Sequence, residues 1–301
     1  MYKRVLLAIA GVSLLAGCGG GGGGSSASGF NGATNQASVT TSNARALSAD
    51  AYSGSKLSAG VVGVAKVAAS GSEQPLLQGT AGILERSVTA ILGTPVASAQ
   101  VAASTTQNTI TGFSGSYTYT IDYDQSTGAF SGTMTYTQYK ETSDSFVISG
   151  SITFSGVFSQ ATGTFTSMNI NMNNMTGTSG GKTFGMSGSI SYSTGGAKSS
   201  VTMSVILSDS VSGHTYWMKD YTLTLTGSSL SMTGTYYDPV HGYVVISTVT
   251  PLAVSAFDGT PASGQLLFHG ANGTKARLTF TSGGYTVEAD TAGNGSYVVV
   301  P

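Results

Sequence analysis

The side chains able to do chemistry in this 301-residue chain are few enough to weigh one by one. Asp122, Asp124, Ser126 and Gly128 have the spacing of a calcium loop, in which several carboxylate and carbonyl oxygens converge on a hard cation. The turn recurs 35 residues on as Ser159, Gln160, Thr162 and Gly163, with the acids gone. A turn that repeats without its ligands is a turn first. Asp290, Asn294 and Gly295 resemble a degenerate calcium loop of the EF-hand type, but Ala292 fills its third position and Pro301 its twelfth, so no bidentate carboxylate closes it. No metal site is assigned.

His214, His241 and His269 are the only imidazoles. A serine nucleophile needs a base that reaches both its hydroxyl and an orienting acid. Asp238 and His241 could supply two of the three parts. No Gly-x-Ser-x-Gly elbow accompanies them, and residues 238–242 read more simply as a polar turn between two strands. The expectation is a non-enzyme without a cofactor, a hydrolase being the least favoured alternative. Tyr216, Trp217 and Tyr221 form the largest aromatic cluster near one strand. Their two readings are core packing and a stacking surface for a sugar or an apolar ligand.

Cys18 is the single cysteine, which excludes an intramolecular disulfide. Lys3 and Arg4 precede a 12-residue apolar run at 5–16, too short to span a bilayer, which needs ~20 residues. Leu15-Ala16-Gly17-Cys18 then resembles the lipobox of bacterial lipoproteins. That resemblance implies removal of residues 1–17 as a signal peptide and acylation of Cys18 with diacylglyceryl and palmitate-like chains. Two chains already give stable anchoring, so the protein would be held to a membrane that it does not cross. Gly19 stands where the family carries Asp in proteins retained at the inner membrane, which implies outer-membrane sorting. Glycines 19–24 and the Ser/Gly-rich residues after them read as a flexible tether over 18–45. A phosphate-cradling glycine loop is excluded, because no strand precedes the run and no Lys-Ser/Thr follows it.

Charge narrows the partners. Twelve Lys+Arg and 13 Asp+Glu make 8% of the chain, against roughly 25% in an average soluble protein, which excludes nucleic acid as an electrostatic partner. The chain holds 85 Ser and Thr, 55 of them between 101 and 250, and this with 15 Tyr and 11 Phe favours strands.

The elements follow from periodicity. Residues 46–110 read as a partly helical transition segment: Leu77, Ala81, Leu84, Val88 and Ile91 share one helical face, with a weaker hint at Leu57, Val61, Val64 and Val67. Such a helix would cover one end or one face of a sheet. From Gly112 the period becomes two, as in Tyr117, Tyr119, Ile121 and Tyr123, with Ser and Thr mostly between the apolar positions of the strands that follow. Gly115-Ser116-Tyr117 recurs as Gly150-Ser151-Ile152 and Gly188-Ser189-Ile190, offsets of 35 and 38 that mark a repeated hairpin. Eight or nine strands fit before residue 250. Pro251, Pro261 and residues 258–259 mark a junction, and a smaller meander over 251–301 follows, with Asn272-Gly273 as a type I′ turn.

The expected fold is therefore all-β: an antiparallel up-and-down meander over 111–250 that curls into a barrel or half-barrel, preceded by one or two short helices that cap its edges. Residues 236–244 and 264–297 resemble C-terminal portions of uncharacterised proteobacterial envelope lipoproteins, which implies no activity. The expected function is a lipid-anchored outer-membrane lipoprotein whose β domain binds or scaffolds an envelope protein or a glycan. The alternative is a periplasmic carrier with an apolar ligand in a barrel-like cavity.

Overall fold

Alternation along the chain predicts strands with one dry face, and a single antiparallel sheet realises it. The computed structural model describes residues 29–52, 104–143, 146–159, 161–162, 164–179, 181–254 and 261–301. After a short helical turn (Ala46–Asp50), fourteen strands follow: β1 (Ser104–Thr111), β2 (Ser114–Tyr123), β3 (Ala129–Lys140), β4 (Val147–Ser159), β5 (Thr164–Ser179), β6 (Lys182–Gly195) and β7 (Lys198–Asp209), then β8 (Thr215–Thr226), β9 (Ser229–Asp238), β10 (Gly242–Val254), β11 (Pro261–His269), β12 (Lys275–Thr281), β13 (Gly284–Asp290) and β14 (Val298–Val300). Each strand pairs with the next in sequence, and β1 and β14 do not meet. The meander is thus open, and the closed barrel is not formed. Odd-numbered connections, β1–β2 through β13–β14, lie at one end of the strands, called here the strap end; even-numbered ones lie at the other.

The dry face is written in cross-strand rows. Tyr119, Met134, Ile152, Met172, Gly188, Val205, Met218, Tyr236 and Val244 are successive partners from β2 to β10. All but Gly188 are buried hydrophobic residues. Each such side chain contributes roughly 1.5–3 kcal/mol on burial, which outweighs anything the wet face supplies by hydroxyl contacts. The wet face carries the complementary row Thr120, Thr133, Thr153, Asn171, Ser189 and Ser204.

A line of bulges bends this sheet. The ladder slips at Gln138 in β3, Asn174 in β5 and Asp220 in β8, and all three take positive φ (47°, 48° and 52°). An inserted residue raises the local twist and curves the strand. The adjacent backbone must then come close, which is why two of the repeated glycines stand where they do. A Cβ on Gly115 (φ 64°) would lie 2.2 Å from the Gln138 carbonyl oxygen and one on Gly150 (φ 120°) 2.7 Å from that of Asn174; Gly188 (φ 129°) is as tightly held, 2.1 Å from the Ser204 carbonyl oxygen, although β6 and β7 pair without a slip. Neighbouring hydroxyls satisfy backbone groups freed at the bulges: Gln138 N–H donates to Ser149 Oγ at 3.0 Å, and Asp220 N–H to Ser204 Oγ at 3.0 Å.

Residues 29–43 form a strap across the strap end from β8 to β12. Asn31 N–H donates to Thr215 Oγ1 (2.9 Å), Ala33 N–H to the Pro239 carbonyl (3.0 Å) and Ala37 N–H to that of Tyr243 (2.8 Å). Ala271 N–H in turn donates to the Ala37 carbonyl (2.7 Å), and Val39 N–H to Thr274 Oγ1 (3.0 Å). The helical turn then lies on the dry face, where Leu47 is fully buried and Tyr52 packs on Phe280 with ring centroids 4.8 Å apart. Residues 31–39, read above as tether, are therefore fixed by backbone hydrogen bonds to the strand ends. The helix expected over 77–91 and the weaker one over 57–67 lie outside the described residues.

Strand β1 falls inside the segment read as helical, because Ser104–Thr111 carries just one large apolar residue, Ile110, and shows no alternation. Nine strands, β2 to β10, occupy the region where eight or nine were expected. Pro251 lies within β10 and Pro261 opens β11, so the sheet runs on through the expected junction. The Asn272-Gly273 turn has φ of 55° and 78° and is closed by Thr274 N–H to the Ala271 carbonyl (3.0 Å), the type I′ form.

Gly188→Val places a Cβ against backbone in a region closed to L-residues, and should cost ~3 kcal/mol or more in urea denaturation. Gly196→Ala (φ 62°, nothing within 4 Å of its Cβ) should cost ~1 kcal/mol. Equal losses would contradict the close-approach account.

Candidate functional site

Period two separates the three aromatic candidates of β8. Tyr216 pairs with Leu207 and packs against the main core, whereas Trp217 pairs with Ile206 on the wet face. The bulge at Asp220 then shifts phase by one, so Tyr221 returns to the dry face and is fully buried. Its hydroxyl donates to the Ala51 carbonyl at 3.2 Å, and burial holds its pKa well above the usual tyrosine value. The same bulge sets the partner of Trp217. Thr226 faces Ser229 across the hairpin, a register that would pair Trp217 with Asp238; with one residue inserted, it pairs with Tyr237.

Trp217 and Tyr237 stack with centroids 4.6 Å apart, and Tyr243 lies 5.1 Å beyond Tyr237. Phe30, at the start of the strap, closes the cluster at 6.1 Å from Trp217 and 5.6 Å from Tyr237. Lys219 Nζ sits 5.3 Å from the Trp217 ring centroid. With its ring enclosed by these neighbours, Trp217 is 7% exposed and offers little face to a ligand. The cluster is a bolt that fixes the strap to the outside of the sheet. Phe30, Tyr237 and Tyr243 were not singled out from sequence; the recurrence of Tyr236-Tyr237 one hairpin after Tyr216-Trp217 was the available signal.

Carboxylates brace turns. Asp124 accepts Ser126 N–H (2.8 Å), Ser126 Oγ–H (2.7 Å) and Thr127 Oγ1–H (2.9 Å), and these hydrogen bonds, led by the Ser126 hydroxyl, lower its pKa to about 2. Asp209 does the same for Val211 and Ser212, Asp238 for Val240 and His241, and Asp290 for Asn294 and Gly295. Burial pushes Asp209 and Asp290 upward, but the combined hydrogen bonds and the charges of Lys182 and Lys275 respectively leave both below the usual range. Both suspected calcium loops are thus hairpin braces in geometry.

His241 and His214 hydrogen-bond through their backbone N–H groups, to Asp238 Oδ1 and Ser212 Oγ respectively. His269 Nε2 lies 2.8 Å from Ser247 Oγ across β10 and β11, a pair that the sequence did not single out. Burial, helped by Lys275, lowers its pKa and favours the neutral ring. Among the described residues no histidine is hydrogen-bonded to both a serine and an acid, and no three His, Cys, Asp or Glu side chains are grouped as a metal site.

The wet face itself holds a depression of about 430 Å³ lined mainly by Thr120, Asp122, Ser131, Thr133, Thr153 and Asn171. Its hydroxyl, amide and carboxylate groups offer hydrogen bonds, with Phe154 also in the lining. Cys18 lies outside the described residues. Fold and surface together define an open, strapped β-meander with one dry and one hydroxyl-rich face. No protein-family model matches the chain, and neither does any curated protein or solved structure.

The braces of Asp124, Asp209 and Asp290 carry a pH dependence. A carboxylate with a depressed folded pKa stabilises above its unfolded value near 3.8, and that contribution is lost as pH falls through the folded value. Melting temperature should therefore fall as pH drops from about 4 to about 2. Asp209→Asn should lower the melting temperature at pH 7 and flatten part of that fall; a variant whose pH profile parallels wild type would contradict the assignment.

Proposed function

We propose that this chain is an outer-membrane lipoprotein, anchored through acylated Cys18, whose β domain is a non-catalytic binding or scaffolding module. The observation that carries the reading is the lipobox Leu15-Ala16-Gly17-Cys18, followed by a glycine run that leads into the strap at Phe30. A tether whose far end is bolted by four aromatic rings transmits position from lipid to domain. The dry face is committed to the core, with Met134, Ile152, Met175 and Tyr221 fully buried, so recognition falls to the other face. There, hydroxyls and amides on adjacent strands offer hydrogen bonds with little charge, which suits an envelope protein or a glycan.

Alkyne-palmitate should label the wild-type protein and not Cys18→Ala, and the variant should leave the membrane fraction; persistent attachment would overturn the anchor. For the binding face, full-length protein with Thr133→Lys and Thr153→Lys should melt like wild type and lose whatever envelope component wild type captures by crosslinking in cells. Unchanged capture would move the binding surface elsewhere.

A further inference from the structure

We propose that the strap end of the sheet faces the lipid layer and that its apolar hairpin tips dip into the headgroup region. This rests on the lipid-anchor reading. Phe113 in the β1–β2 connection is 66% exposed, Val211 in β7–β8 is 65% exposed and Val240 in β9–β10 is 62% exposed. All three connections lie at the strap end, and Val298, 50% exposed, opens β14 at the same end of the strands. Connections at the opposite end, among the described residues, hold no large apolar side chain: they are residues 124–128, 161–162, 196–197, 227–228 and 282–283. Three of the acids at the strap end, Asp209, Asp238 and Asp290, are buried in their turn braces. Lys140 Nζ lies 5.7 Å from the Phe113 ring centroid, a cation placed beside an apolar tip as an interfacial contact requires.

Chain length selects the same end. Phe30 is bolted near the strap end, and ten residues separate Cys18 from Gly29. They span at most ~40 Å when fully extended, and ~16–19 Å as a flexible coil. A strand such as β4, with 13 residues, is itself ~43 Å long. Bringing the opposite end to the lipid would therefore need the connecting residues stretched to their limit, whereas the strap end lies within coil reach.

The test uses the full-length, membrane-attached protein in phosphatidylethanolamine and phosphatidylglycerol vesicles that carry a lipid-bound nitroxide quencher. A bimane label is placed at Phe113→Cys, Val211→Cys or Val240→Cys, and at the opposite end at Gln125→Cys or Ser228→Cys. Quenching at 113, 211 and 240 should be several-fold stronger than at 125 and 228; equal or reversed quenching overturns the orientation. Flotation of wild type against Cys18→Ala separates the two ideas. If flotation depends on Cys18 while all labels quench alike, the anchor stands and the orientation falls. If Cys18→Ala still floats, the anchor falls and the label comparison still decides which end meets lipid. A wild-type chain that does not float overturns both.

Discussion

Where a strand carries an inserted residue, the strand beside it comes too close for a Cβ, and this contact shapes the whole sheet. Gly115 against Gln138, Gly150 against Asn174 and Gly234 against Tyr221, beside the insertion at Asp220, permit an approach that an L-residue would block. The bulges they accommodate curve a sheet that, with one apolar face, must turn that face inward. The wet face responds in kind. Hydroxyls of Ser149 and Ser204 take up N–H groups of the bulged residues, so part of the Ser/Thr abundance is a structural answer to broken ladders. Thr248 makes the same repair with both backbone groups of Met232, at 2.7 and 2.8 Å.

The strap completes what curvature begins. Its backbone bonds supply partners to strand-end groups from β9 to β12, and its helical turn buries Leu47 against the dry face. Arg45 reaches the chain's other terminus, donating from Nε to the Pro301 carbonyl at 3.0 Å. Phe30 then ties the outer face to the same segment through Trp217 and Tyr237. One stretch of chain therefore touches an end and both faces of the sheet. On the outer face further along, Arg277 bridges Glu288 at 2.8 and 2.9 Å, a forked ion pair that fixes β12 against β13 near the free edge.

Much of this was legible because strands with one dry face write their burial in alternate residues. Tyr117, Tyr119 and Ile121 announced β2, and the Gly-Ser repeat at 115, 150 and 188 announced alternate strands β2, β4 and β6. Asn272-Gly273 could be read alone, since few dipeptides tolerate two positive φ angles in succession. Features that depend on register were hidden. The pairing of Trp217 with Tyr237 rests on an insertion at Asp220 that no local pattern marks. Strand β1 escaped because its sequence has no alternation. Residues 31–45 looked like linker because much of their bonding to the sheet, over 31–39, is made by backbone groups, which composition does not reveal. The turns at Asp124 and Asp238 and the loop at Asp290 could be read, but not which N–H and hydroxyl groups each carboxylate accepts, and Asp209 was not marked by any motif.

The central claim is that the strap is part of the folded sheet and not a loose leader, and amide hydrogen exchange on the full-length protein tests it most directly. The N–H groups of Ala33, Ala37 and Val39 each donate to an acceptor in β10 or in the connections at the strap end. They should exchange as slowly as the paired amides of β10 and β11, and should lose protection together with them as denaturant is raised. Exchange at rates typical of an unstructured chain, with the sheet amides still protected, would contradict the account.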